Sequence, residues 1–256
     1  MKTVVAANGA GFSNRVKCIV SAMRMSDDVE VQWRKSLFPA HGIVDTKLTD
    51  FFVNLKECTS TEGKTVRTTW RYEVFEEDGI PEGFSRDLEA RGRAALGSLN
   101  PPQHPKGINI DWAYHDTPEN VKADYLKQYN KLEINPDVLQ AVDDFTTSEY
   151  VSVHLRAWER GSNRKKLFSL DKYVKLMREY DSKFFVASDT PEVIKQLKDI
   201  FGEDRILQYT PVGKPYDLFV DQLLISKGSA IIGTPWSSFT EVAWWFSGCT
   251  KEFRLA

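Results

Sequence analysis

Apolar positions along the chain change their period in a regular way, most clearly in the second half. An apolar run at 150–155 is followed by helical spacing over 171–180. Further runs at 184–187, 206–208 and 230–233 alternate with helical stretches at 191–200, 217–226 and 239–246. Short apolar runs separated by segments of 3.6-residue period predict strands alternating with helices, and hence a parallel sheet covered on both faces. The start of the chain repeats the theme: a strand at 3–6, turn-forming residues 8–14, then Val16, Ile19, Val20 and Met23 at helical spacing and a strand at 29–33. A polar helix is expected at 120–130 and another from Pro136 to 145, where a first-turn proline gives up no hydrogen bond. Residues 36–105 show less order, with one strand expected at 66–74 and Pro/Gly-rich loops at 80–84 and 100–107. The pattern predicts an α/β fold in two domains, 1–147 and 148–256.

Composition narrows the classes. The 256 residues carry 34 Lys+Arg against 36 Asp+Glu and are 41% hydrophobic, enough to fill a sizeable core. Disordered, collagen-like and disulfide-scaffold classes are excluded, and a net charge of −2 argues against a nucleic-acid partner. No apolar run approaches the roughly 18 residues of a membrane span. The apolar stretch Val4 to Ala7 is too short for a signal-peptide core. Cys18, Cys58 and Cys249 form no Cys-x-x-Cys pair and no Asn-x-Ser/Thr sequon occurs, so a cytoplasmic location with structural thiols is expected.

In open parallel sheets ligands bind beyond the carboxyl ends of the strands. The residues there are His154, Arg156, Glu159 and Arg160 after the first strand of the second half, Ser188 and Asp189 after the next, and Thr234, Ser237 and Ser238 after the strand at 230–233. The first half supplies Asn8, Gly9, Gly11, Asn14 and Arg15. Alternation sends Ser152, His154 and Arg156 to one side, and a guanidinium at a strand end forks onto phosphate oxygens as lysine cannot. Arg156 is therefore the first candidate phosphate ligand, set against a structural salt bridge beside a core histidine. The stretch from Gly233 to Glu241 puts hydroxyls and free backbone N–H groups where a helix starts, a natural anion site, although Ser238 with Glu241 also spells a capping box. Thr190-Pro191-Glu192 reads as a helix start that Asp189 could orient.

Other chemistries fit less well. The loop Gly9-Ala10-Gly11-Phe12-Ser13-Asn14 approximates a dinucleotide fingerprint, with Glu30 near the ribose-binding acid, but Asn14 stands at the third glycine. Gly63-Lys64-Thr65 ends like a P-loop, with Cys58 at the first glycine. No His-Glu-x-x-His, paired-cysteine, Asp-x-Asp or Gly-x-Ser-x-Gly motif occurs, so no metal site is expected. Trp33, Trp70, Trp112 and Tyr114 are candidate sugar-stacking aromatics, with core packing as the alternative.

Four segments in order resemble the fucosyltransferase superfamily that includes the bacterial nodulation, α1,6- and protein O-fucosyltransferases. They are His154-Leu155-Arg156, Ala187-Ser188-Asp189-Thr190-Pro191, the helical segment Asp221-Gln222-Leu223-Leu224-Ile225-Ser226, and Gly233-Thr234-Pro235-Trp236-Ser237-Ser238. Gly9 to Arg15 is similar to that family's glycine-rich loop. The resemblance implies a GT-B-like architecture, two Rossmann-like parallel-sheet domains facing across a cleft, with GDP-fucose held by the C-terminal one and the acceptor by the other. It implies an inverting, metal-independent transfer of fucose to a carbohydrate acceptor, without a cofactor. In that frame Arg156 binds the diphosphate and His154 and Asp221 lie near the guanine nucleoside. Thr234, Ser237 and Ser238 meet phosphate, Ser188 and Asp189 border the donor, and Gly11, Asn14 and Arg15 approach it from the other domain, Asn14 near the sugar. Many members carry His-x-Arg-Arg-x-Asp; here Ala157 and Trp158 precede Glu159, which becomes the candidate catalytic acid or base beside Arg156. The rival readings are a transferase for another nucleotide sugar, a dinucleotide oxidoreductase using Gly9, Gly11 and Glu30, and a non-catalytic nucleotide-sugar or glycan-binding module.

Overall fold

A computed structural model describes residues 3–34, 45–68, 72–73, 107–108, 119–145, 148–157, 168–235 and 237–256. The chain divides into two compact units, Met1–Asn135 and Pro136–Ala256.

In the first unit β1 (Val4–Ala6), α1 (Phe12–Met25), β2 (Val29–Val31), β3 (Lys56–Glu57) and β4 (Thr65–Arg67) build a parallel sheet in the order β3-β2-β1-β4. Val4, Val5 and Ala6 are all buried, without alternation, as expected of a strand covered on both faces. α1 packs on β1 and β2 and also on α2 (Glu119–Asn130). That second neighbour gives polar positions of α1 partners: buried Ser21 Oγ lies 3.4 Å from the Tyr125 hydroxyl, and Arg24 donates from Nε to Asp124 at 2.5 Å and lies over the Tyr125 ring. The strand expected at 66–74 is two pieces in different sheets, because β5 (Tyr72–Glu73) pairs antiparallel with β6 (Gly107–Ile108). The expected loop at 80–84, and Trp70, Trp112 and Tyr114, lie outside the described residues, as does most of 100–107.

The second unit holds α3 (Pro136–Asp144), β7 (Tyr150–Leu155), α4 (Leu170–Met177), β8 (Lys183–Ser188), α5 (Pro191–Phe201), β9 (Ile206–Leu207), α6 (Asp217–Lys227), β10 (Ala230–Gly233), α7 (Ser238–Phe246) and β11 (Glu252–Leu255). α3, which the sequence pattern put before a boundary near 147, packs on α6 of this unit. The five strands are parallel in the order β11-β10-β7-β8-β9. Alternation along β7 sorts the two faces. Val151, Val153 and Leu155 join a core with Tyr173, Val174 and Met177 of α4 and Val193, Ile194 and Leu197 of α5. Tyr150 and His154 face the other way, the first donating to the Leu224 carbonyl of α6 at 2.7 Å and the second meeting Thr240 of α7.

Two close approaches fix that face. A Cβ on Gly228 would stand 2.2 Å from Ser152 Oγ, and one on Gly233 would stand 2.2 Å from Thr240 Cγ2. Glycine is therefore required at both places for the helices to seat on the sheet.

Each sheet winds outward from its first strand and then returns to that strand's other side. The reversals lie between β1 and β4 in one unit and between β7 and β10 in the other. Such switch points leave a crevice at the strand tips, the general ligand position of open α/β sheets. No described helix is long and apolar enough to cross a membrane.

Candidate functional site

The β7/β10 switch point gathers most of the residues singled out in the sequence. At the end of β7, His154 is buried; its Nδ1 lies 2.6 Å from Thr240 Oγ1 and its ring stacks on Phe239, centroids 4.8 Å apart. Burial, helped by the charge of Arg156, lowers its pKa to about 3, so the imidazole is neutral at physiological pH. Two residues on, the Arg156 side chain emerges with 36% of its surface exposed, its Nε 3.9 Å from Asp189 Oδ2. Asp189 also accepts hydrogen bonds from the Ala157 N–H at 3.0 Å and the Thr190 hydroxyl at 3.3 Å, so it ties the tip of β8 to the tip of β7. Ser188 Oγ accepts the Thr190 N–H at 3.1 Å, closing the turn that starts α5. Thr190 holds the N-cap position as expected, without a capping bond from its side chain.

Across the switch point the chain leaves β10 through Thr234 and enters α7. Its N-cap is Ser237, not Ser238, and the Ser237 side chain makes no cap bond, so the capping box spelled by Ser238 and Glu241 does not form. Ser238 is the first helical residue, half-buried, and the amides of the first turn lack a side-chain cap. Ser237 is 1% exposed and its hydroxyl has no partner among the described residues. An orphaned buried hydroxyl beside a helix N-terminus fits an anionic group, since the helix dipole and the amides already favour negative charge there.

Asp221 lies on the second turn of α6, half-buried, one residue from Gln222, whose Nε2 donates to the Phe239 carbonyl at 2.8 Å. Burial, then the nearby charge of Asp217, raises its pKa to about 7. Asp217 is itself fixed by the Tyr209 hydroxyl and the Lys214 N–H, both at 2.9 Å. Glu159 lies outside the described residues. Sequence reasoning did not single out Tyr173, Phe239 or Thr240. The last two stand inside the stretch Gly233 to Glu241 but were given no role of their own, whereas Tyr173 is one apolar position of a helix with nothing to mark it.

The other switch point, at the tip of β1, is built differently. Asn8 donates from Nδ2 to the Thr68 carbonyl at 2.6 Å and accepts the Ala10 N–H at 2.8 Å, holding the loop to the end of β4. Gly11 is the N-cap of α1, with no side-chain cap, and Asn14 sits half-buried on the first turn. Arg15, expected among the donor ligands, is only 2% exposed. Its Nε donates to the Ala10 carbonyl at 2.8 Å, its Nη1 to the Arg34 carbonyl at 2.6 Å, and its guanidinium lies 4.6 Å over the Trp33 ring. Burial lowers its pKa to about 10. Trp33 is thus engaged by Arg15, by the Phe51 ring at 5.4 Å and by Thr46, which accepts its indole N–H at 3.1 Å, and serves as packing. Glu30, the acid of the dinucleotide reading, is buried with one carboxylate oxygen on Lys56 and the other on Lys64. Hydrogen bonds from those lysines drive its pKa down to about 2, and the pairing leaves it poorly placed to receive a ribose.

No family profile and no curated protein matches the sequence. Solved structures do match in fold. A NodZ α-1,6-fucosyltransferase soaked with GDP-fucose superposes with a TM-score of 0.55 at 13% identity, over 96% of this chain and 92% of its own. Fucosyltransferase NodZ from Bradyrhizobium gives 0.54 at 15%, over 94% and 91%. POFUT1 in complex with GDP-fucose gives 0.53 at 13%, over 99% and 97%. The chain has the α/β fold of these fucosyltransferases, with two parallel-sheet units, as the GT-B-like expectation required.

Proposed function

We propose that the chain is an inverting, metal-independent glycosyltransferase of the cytoplasm that moves fucose from GDP-fucose to a hydroxyl of a glycan or glycoconjugate. The observation that carries this reading is the pairing, at one switch point, of Arg156 with the uncapped start of α7 and the orphaned Ser237 hydroxyl. The fold likeness to fucosyltransferases solved with GDP-fucose supports the choice of donor.

In this reaction the acceptor oxygen attacks the anomeric carbon from the face opposite the diphosphate, and the bond from that carbon to the diphosphate oxygen breaks. Negative charge grows on the departing diphosphate. Arg156 and the α7 amides, with Ser237 and Ser238, meet that charge in place before the reaction begins, so little reorganisation is needed. The acceptor proton passes to Glu159. His154, neutral and stacked on Phe239, forms part of the nucleoside wall and carries no proton. Asp221, once ionised, offers two acceptor oxygens suited to the adjacent N–H donors of guanine. In the N-terminal unit Arg15 holds the loop that carries Gly11, through its bond to the Ala10 carbonyl.

Thermal-shift measurements with GDP, UDP and NAD test the ligand class: GDP should stabilise the protein and NAD should not. Incubation with GDP-fucose and an oligosaccharide array should release GDP with EDTA present. A response to NAD alone overturns the reading, and a requirement for added metal overturns the mechanism.

A further inference from the structure

Thr234 lies at the end of β10, 2% exposed, and its hydroxyl meets three partners. It donates to the His154 carbonyl at 2.9 Å and accepts the Arg156 N–H at 2.9 Å. The Tyr173 hydroxyl of α4 is 2.6 Å away. A hydroxyl has one proton and two lone pairs, so this one is fully used and has nothing left for a ligand. With the Thr234 proton committed to His154, Tyr173 must be the donor. Burial, with the nearby charge of Asp189, pushes the tyrosine pKa up and keeps its proton in place.

The same residue reaches the other half of the site, because the Ser237 N–H donates to the Thr234 carbonyl at 3.3 Å. One position beyond Arg156, the Ala157 N–H donates to Asp189 Oδ1 at 3.0 Å. The amides on both sides of the Arg156 Cα are therefore anchored by side chains, one from the tip of β10 and one from the tip of β8.

We infer that Thr234, oriented by Tyr173, is a positioning residue: it sets the backbone direction of Arg156 and its separation from Ser237 without touching the donor. This rests on the diphosphate reading above and changes the role of Thr234 from ligand to clamp. Tyr173 enters the site as the residue that holds the clamp.

Three variants test the inference. Thr234→Val keeps the shape and removes all three hydrogen bonds, Thr234→Ser keeps them, and Tyr173→Phe removes one. By calorimetry, Thr234→Val should weaken GDP binding about ten-fold and GMP binding less, Tyr173→Phe about three-fold, and Thr234→Ser should stay within about two-fold of the parent. Amide hydrogen exchange at Arg156 should accelerate in Thr234→Val. Parental GDP affinity in Thr234→Val overturns the inference, as does a Thr234→Ser protein as weak as Thr234→Val, which would credit the methyl group and not the hydroxyl. Should Thr234→Val not fold, Tyr173→Phe carries the test, and parental GDP affinity there overturns it. A parent protein that binds no GDP defeats the diphosphate reading instead; the clamp is then judged on exchange at Arg156 alone, and unchanged exchange sinks it.

Discussion

The two units solve the same topological problem with opposite uses of an arginine. Each winds a parallel sheet outward and back, and each places an arginine at the resulting switch point. Arg15 is anchored through its side chain: two of its nitrogens donate to carbonyls of neighbouring loops, its face covers Trp33, and only 2% of it is exposed. Arg156 is anchored through its backbone, by Thr234 and Asp189, and its side chain stands at the surface. A guanidinium with two nitrogens on carbonyls behaves as a strut between loops, even with its Nη2 buried and without a partner among the described residues, whereas one held by its main chain presents its charge at a defined place. The glycines differ in parallel. Gly233 of the second unit touches Thr240 so closely that no Cβ fits, while a Cβ on Gly9 of the first would meet nothing within 4 Å.

The largest expected effects cross over between the arginines. Arg156→Ala should weaken GDP binding by about 100-fold, or about 2.7 kcal/mol, with a parental circular dichroism spectrum and denaturation midpoint. Arg15→Ala should do the reverse. It should lose about 2 kcal/mol of stability in urea denaturation, from hydrogen bonds and the cation–π contact, while the folded protein keeps its GDP affinity. If Arg15→Ala loses nucleotide and keeps stability, the distinction between strut and ligand fails.

Acid sharpens the comparison. Asp221 has its pKa raised from 3.8 to about 7, so its protonated form favours the folded state; that contribution is whole below 3.8 and is lost as pH rises through 7. His154 has its pKa lowered from 6.5 to about 3, so its contribution is whole above 6.5 and is lost as pH falls through 3. The two oppose each other across their shared window and partly cancel. In the first unit Glu30, lowered from 4.5 to about 2, contributes above 4.5 and loses that contribution only in stronger acid. Asp221→Asn should therefore unmask His154: between about pH 6.5 and 4.5 the variant should lose more urea stability than the parent. Equal pH dependence in both would show that Asp221 does not hold its proton in the folded protein.

Much of this was legible before any coordinates. Tyr150–Leu155, Lys183–Ser188 and Ala230–Gly233 announce themselves as apolar runs because strands buried on both faces need no polar positions. Lys56–Glu57 and Glu252–Leu255 escape notice because charged residues interrupt them and leave no apolar run, and their sheet membership is decided by neighbours. The site residues were legible where topology alone places them, just past a strand tip. Their division of labour was not. That Thr234 is used up and Ser237 is not depends on three partners from β7 and α4, distant in sequence, and on a cap shifted by one residue. The capping-box pattern misled for a physical reason: Ser238 is already helical, so its hydroxyl is not at the cap.

The smallest effect concerns Gly9. Its backbone is not left-handed and a Cβ there has open space, so Gly9→Ala should leave the thermal midpoint unchanged or raise it slightly, by restricting the unfolded chain. GDP affinity should not move, since the proposed diphosphate ligands Arg156, Ser237 and Ser238 all belong to the second unit. Turnover of GDP-fucose by Gly9→Ala should equal that of the parent, since the added methyl meets no atom of the described residues. A Gly9→Ala protein with a lowered thermal midpoint would show that the β1–α1 turn is more constrained than its open surroundings indicate.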